Sequence, residues 1–313
     1  MKRREFVGAL ASVAVGGALP ATRAVPRSLP REERFVERWS WAMGQRVHLM
    51  LFSTSEEEGL EAAALALAEL RQVEARLSLF DDASDLVELN RRAGKGPARV
   101  GPDLHRVVTA AEAFRRLTGG AFNAAVEPLM RTWGFRERRK AAPGVRELQE
   151  AEAAVVAAVV EVEGERVRLP SGHTQLDFGG IGVGYGLDRM AALLRRRGIR
   201  RALIDVSGDC IAIGAPPGQD GWTVDIVNPD RPGRRLASTR VCDEALATSA
   251  NTVSIVRYGS FTAGHVMDPA DGWPARGLRQ ATVVAGSAVE ADALSTAMLV
   301  SGKAPGARRV YRA

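Results

Sequence analysis

The sequence predicts an α+β protein, with a mixed or antiparallel sheet core and helices packed against it. Three observations carry this. Strand-like and helix-like segments are interspersed without the regular alternation of a doubly wound sheet. Residues 160–169 alternate in polarity around Gly164, as a hairpin does. At 313 residues and 46% hydrophobic composition, with no internal repeat or low-complexity tract, the chain can bury a large core as one elaborated domain or two intimately packed lobes.

The amino terminus reads Met1-Lys2-Arg3-Arg4-Glu5-Phe6-Val7 and runs into small apolar residues from Gly8 to Leu19. This matches a twin-arginine export signal, with Ala24 the last residue removed, and so predicts a periplasmic or other extracytoplasmic location. Residues 25–38 read as a charged leader, 39–302 as a single catalytic domain and 303–313 as a basic tail. No other segment reaches the roughly 18 apolar residues of a membrane span, so no integral membrane segment is expected.

Within the domain, Arg46–Phe52 alternates like a strand, and Thr54–Leu79 carries leucines and a valine at helical spacing. Ser84 and Pro102 each open a further helix, the second ending at Gly119-Gly120. The basic connector over 136–145 is the best candidate for a lobe boundary. Past a short helix over 146–159 and the hairpin, a helix is expected from Tyr185 to Gly198. Strands are expected over 201–206, 210–213, 222–227, 252–257 and 280–284, with a last helix over 288–300.

The net charge of +6 does not indicate nucleic acid, because the arginines are scattered and only 5% of residues are aromatic. A positive field suits a phosphate-bearing ligand, or simply solubility. Cys210 and Cys242 allow a disulfide in an exported protein, or two separate buried thiols. Four histidines and two cysteines without metal-type spacing argue against zinc, so a metal here would prefer oxygen.

The densest local signal is Leu176-Asp177-Phe178-Gly179-Gly180-Ile181-Gly182-Val183-Gly184-Tyr185-Gly186. Such a turn can present bare backbone to a phosphate or a hard cation; an unliganded strand-to-helix turn reads the same way. Asp177 faces that turn, where a carboxylate can accept hydrogen bonds from a ligand. On the last helix Asp292 and Thr296 are four apart with Ser295 between them, so a carboxylate and hydroxyls can share a face suited to Mg²⁺. A solvated helix has the same pattern. His265, in His-x-x-Asp-Pro, is either a structural turn residue or an imidazole able to act as general base.

Taken in order with Ala42-Met43-Gly44, Leu77–Phe80, Thr118–Asn123, Trp133–Phe135, Leu203–Asp209, Ala247–Asn251, His265–Pro274 and Ala291–Ala297, these segments make the chain resemble the FAD:protein FMN transferase (ApbE) family. The resemblance implies an ApbE-like, T-fold-related architecture and a Mg²⁺-dependent transfer of FMN from FAD to a threonine or serine hydroxyl of an acceptor protein, with release of AMP. It implies metal ligands at Asp292, Thr296 and the Gly180 carbonyl, with Ser295 beside them. The flavin nucleotide would contact Met43, Phe80, Ala121, Phe122, Asn123, Asp177, Val183 and Val266, and His265 would be catalytic. The chain departs from the family pattern at Val183, where lysine is usual, and at Ser207, Ala250, Asn251, Asn123 and Asp271. Two further readings therefore stand: an FAD pyrophosphatase giving FMN and AMP, and a flavin-binding protein without turnover.

Overall fold

The chain enters its sheet earlier than the alternation at Arg46 suggested. In the computed structural model, which describes residues 33–231 and 233–313, β1 (Arg34–Ala42) pairs antiparallel with β2 (Gln45–Ser53). The turn between them, Met43-Gly44, has positive φ at both residues, 54° and 68°, the twist that a two-residue hairpin needs. Asparagine or aspartate usually announces such a turn, and methionine does not. β1 thus takes Arg34–Arg38 from the expected leader, while the expected signal segment lies outside the described residues.

α1 (Glu56–Leu77) starts where the Ser55 hydroxyl accepts the Glu58 N–H at 3.2 Å, with Glu56, Glu57 and Glu58 at its positive end. Ser84 caps α2 (Asp85–Arg91), and after β3 (Ala98–Arg99) a proline opens α3 (Pro102–Leu117). α4 (Glu127–Thr132) and α5 (Val145–Val156) flank the basic connector, which lies inside one compact unit, Glu33–Ala313. The expected hairpin is β4 (Glu161–Glu163) and β5 (Arg166–Arg168), with β3 as its third strand.

α6 (Gly182–Arg196) begins three residues before Tyr185, so half of the glycine-dense stretch is helix. There follow β6 (Arg201–Val206), β7 (Asp209–Ile213), β8 (Trp222–Val227), β9 (Arg235–Val241), β10 (Ala245–Ala250), β11 (Ile255–Tyr258) and β12 (Phe261–Gly264). β13 (Gln280–Ala285), α7 (Ala288–Ser301) and β14 (Arg309–Arg312) complete the chain. β14 takes the end of the expected basic tail into the sheet.

Seven strands form the main sheet in the order β1-β2-β6-β7-β10-β13-β14, each neighbour antiparallel. On one face α1, α6 and α7 bury Leu70, Leu187 and Leu294 against Leu49 and Ile204. The β8–β9 hairpin covers part of the other face through Trp222 and Ile226. A second core joins α3 and β5 to the far sides of α6 and α7, through Leu104, Val167, Tyr185 and Ala297. α7 is therefore packed against protein over most of its surface, which is why it carries alanine, leucine and methionine on more than one side.

Cys210 is buried and Cys242 exposed, and both are free thiols, so the expected burial of both fails at Cys242. No helix among the described residues is long and apolar enough to cross a membrane.

Candidate active site

One wall of the site is built by backbone contact between α6 and α7. A Cβ at Gly184 would stand 2.3 Å from the Ala288 carbonyl oxygen, and one at Gly180 would stand 2.7 Å from Thr296 Oγ1. These glycines thus serve close approach to a helix rather than only a bare loop for a ligand. The Gly184 N–H donates to Asp292 Oδ2 at 3.0 Å. Asp188, on α6, accepts from the N–H groups of Ala288 and Val289 at 2.9 and 3.0 Å, which fixes the start of α7.

Asp292 is 4% exposed, and burial holds its carboxyl well above the usual range, with the charge of Asp209 adding to the effect. Asp209, at the start of β7, accepts the Thr248 N–H at 2.8 Å and is pushed up to about 7, again mainly by burial. Sequence reasoning did not assign Asp209 to the site. Its signal was an apolar strand, then a turn glycine, then a carboxylate, close to the pattern that singled out Asp177. The hydroxyls of α7 divide: Thr296 Oγ1 lies 3.1 Å from Ser249 Oγ, whereas Ser295 Oγ bonds the Asp292 carbonyl at 2.9 Å and Ser249 Oγ at 2.8 Å. Ser295 is not part of the cleft lining, because its position on the helix turns it into the protein.

The facing wall is made of loops. Asn251 steadies the segment around His265: its Nδ2 donates to the Ala275 carbonyl at 2.9 Å, and its Oδ1 accepts the Val266 N–H at 3.1 Å. His265 Nδ1 is 3.2 Å from the Val253 carbonyl. A carbonyl only accepts, so Nδ1 carries the proton and Nε2 is the basic nitrogen. Burial lowers the imidazole pKa from its ordinary value, against the opposing effects of the Val253 carbonyl and Asp177.

Asp177 accepts the Gly179 N–H at 2.7 Å and bonds the guanidinium of Arg136. The same guanidinium contacts Glu127 Oε2 at 2.7 Å. Glu127 is 1% exposed, and burial raises its pKa despite that partner. Sequence reasoning missed both residues, and nothing local marks a pair nine residues apart across a helix and its following turn. Phe80, 84% exposed, lies with its ring centroid 5.5 Å from the Arg136 guanidinium carbon.

Between the walls is a cleft of about 840 Å³. Ala121, Phe122, Asn123, Asp177 and Val183 line it, and so do Gly180, His265, Val266, Asp292 and Thr296. Met43 and Phe80 do not. The Met43 side chain packs over Gly186 between the two cores, and Phe80 stands outside with Arg136. The lining holds four aspartates, Asp177, Asp209, Asp225 and Asp292, and no lysine or arginine. The excess of basic residues therefore lies elsewhere, and the expected use of positive charge to attract a phosphate does not hold inside the cleft.

The donors gathered beside α7 are all oxygens: the buried Asp292 carboxylate, the half-buried Asp209 carboxylate, the Thr296 hydroxyl and backbone. Among the described residues no group of three or more histidine, cysteine, aspartate or glutamate side chains forms a metal cage. A hard cation that accepts hydroxyl and carbonyl oxygen suits such a set, and its charge would relieve two carboxylates that burial makes costly to ionise.

The chain belongs to the ApbE family, whose model matches residues 43–312. An FAD:protein FMN transferase of Treponema pallidum is 30% identical over 258 residues, spanning 74% of this chain and 69% of the relative. One of Haemophilus influenzae is 23% identical over 316 residues, spanning 96% and 88%. The crystal structure of an ApbE protein from Thermotoga maritima superposes with a TM-score of 0.81 at 25% identity, covering 89% of this chain and 94% of that one. The apo flavinyl transferase ApbE of Pseudomonas stutzeri has the same fold, with a TM-score of 0.73 at 24% identity over 86% and 84% of the two chains.

Proposed function

We propose that the chain is a flavin transferase, moving the FMN half of FAD onto a threonine or serine hydroxyl of an acceptor protein and releasing AMP, with Mg²⁺ as its metal. The observation that carries this reading is one cleft lined both by a basic imidazole nitrogen and by the buried Asp292 carboxylate with a helix hydroxyl. Its acidic lining favours a pyrophosphate that arrives with a divalent cation over a bare one.

Asp292, Thr296 and the Gly180 carbonyl would hold the metal, with Asp209 beside them. Bound there, Mg²⁺ would neutralise charge on the pyrophosphate, the main source of catalysis in such displacements. His265 Nε2 takes the proton of the acceptor hydroxyl as its oxygen attacks the FMN phosphorus; the phosphoanhydride bond breaks, and AMP leaves with the bridging oxygen. Asn251 keeps the imidazole in place by bonding the next residue's N–H. Arg136 orients Asp177, whose carboxylate is placed to accept hydrogen bonds from the flavin nucleotide.

The test is to incubate the protein with FAD, Mg²⁺ and a flavin-acceptor domain, then denature the acceptor. Flavin fluorescence that stays with the denatured acceptor supports transfer. FMN found only in solution would establish a pyrophosphatase, and unchanged FAD a binding protein. We also propose export of the folded protein through Arg3-Arg4. Replacing both arginines with lysine should retain it in the cytoplasm, and unaltered export would refute that location.

A further inference from the structure

A second groove, of about 950 Å³, opens beside the catalytic cleft and shares Ala121, Asn123 and Pro269 with it. We propose that this groove receives an extended, acidic segment of the acceptor polypeptide and leads its hydroxyl into the cleft. The identity of the polypeptide rests on the transferase reading; the groove's preference for an acidic extended chain does not.

Three features point to a peptide backbone. The floor is glycine: Gly119, Gly120 and Gly302 all have positive φ (63°, 89° and 72°), and a Cβ on any of them would meet nothing within 4 Å. A second chain can therefore approach the main chain closely. The Gly119 and Gly120 carbonyls accept no hydrogen bond among the described residues, so they are available to peptide N–H donors. α3 and α7 both end at this groove, at Leu117 and Ser301, and helix C-termini offer carbonyl oxygen to peptide N–H groups.

Charge selects the side chains. Lys303 and Arg312 are exposed in the lining and make no ion pair among the described residues, while Arg115 is paired with Glu112. The one acid of the lining, Asp268, accepts the Ala270 N–H. The groove is thus net basic where the cleft beside it is acidic. Carboxylates on the acceptor are attracted to the groove and repelled from the cleft, which leaves a neutral hydroxyl-bearing stretch to enter. Leu117 and Val156, 53% and 64% exposed, supply apolar surface for the remaining side chains.

The test uses the full chain and a fluorescein-labelled 15-residue probe: one threonine among glycine and alanine, with three glutamates, and a twin carrying lysine at those three positions. Fluorescence polarisation should show binding of the glutamate probe by the wild type. Lys303→Glu with Arg312→Glu should weaken it about fivefold to tenfold, in a salt-sensitive way, and should create binding of the lysine probe. FAD affinity, read by calorimetry, should be unchanged in the double variant, and wild-type circular dichroism would show that it folds. Failure of the wild type to bind the glutamate probe, or equal binding of both probes by both proteins, overturns the proposal. A fall in FAD affinity would assign the groove to the nucleotide instead and also overturn it. Probe binding without flavin transfer would count against the transferase reading alone.

Discussion

The guanidinium of Arg136 bonds the carboxylate of Asp177 across 41 positions of sequence, and on its other side it neutralises Glu127. One cation thus ties a cleft-lining acid to an acid that is buried behind it.

Replacing Arg136 with glutamine should therefore cost stability as well as function. Glu127 would be left buried with only Arg131 beside it, at a cost of about 2 kcal/mol by urea unfolding at pH 7. Its folded pKa already lies above the ordinary 4.5 and would rise further, so the native state binds more protons than the unfolded one as pH rises past 4.5. The deficit should accordingly be small near pH 4.5 and grow towards neutrality. Adding Glu127→Gln should recover most of it, and a deficit independent of pH would show that Glu127 is not the cause.

On the proposed mechanism the imidazole of His265 should set the acid limb of transfer. Because burial lowers its pKa, the rate should fall only below the ordinary histidine value, with the midpoint under about pH 6.5. His265→Gln should slow transfer by about 10²–10⁴-fold and abolish that limb. A midpoint above 7 in the wild type would show that another group is titrating.

Three neighbouring substitutions on α7 separate the hydroxyls. Asp292→Ala should abolish Mg²⁺-dependent turnover, and Thr296→Ala should raise the Mg²⁺ needed by about tenfold, as expected for the loss of one oxygen contact. Ser295→Ala should leave the Mg²⁺ requirement unchanged but lower stability by about 1 kcal/mol, since its hydroxyl bonds Ser249 and the Asp292 carbonyl. Equal metal dependence of the two hydroxyl variants would contradict their placement.

Val183 lines the cleft at the start of α6 and packs partly on the sheet core. Val183→Lys should tighten FAD binding by about 1–2 kcal/mol, a gain that shrinks in high salt, because the stem can cover the core edge while the amine reaches the pyrophosphate. Calorimetry at two salt concentrations reads this. Weaker binding at both would mean that packing of the valine is what the pocket needs.

Much of this was legible in the sequence, for reasons that particular segments make plain. β6 and β8 were placed at both ends because their apolar residues lie between clear turns. α7 was placed to within a residue, whereas Asp292 and Thr296 were singled out by the family resemblance, their i, i+4 spacing alone fitting a solvated helix equally well. β10, Ala245–Ala250, was not read as a strand: it is an interior strand of small residues, and neither alternation nor branched side chains mark it. β14 was hidden by its arginines, which suit a charged sheet edge as well as a tail. Glu127 and Arg136 were invisible because only tertiary folding brings them to Asp177. Ser295 lies outside the cleft lining, a placement that spacing along a helix could not give, because spacing does not say which side faces the cleft.

Gly184 has a consequence for how this enzyme can change. With no side chain between α6 and α7, the position of Asp292 is dictated by main chain on main chain, and any residue larger than glycine would pry the two helices apart. That half of the cleft is therefore as stiff as the hydrophobic interior, and substitution cannot retune it gradually. Of the departures that the family resemblance marks, Asn123, Ser207, Ala250, Asn251 and Asp271 lie in turns, at a strand end or just past one, whereas Val183 stands on α6 itself. The loop wall is held by side chains such as Asn251 instead, so a substitution there can reshape what the cleft holds without moving Asp292.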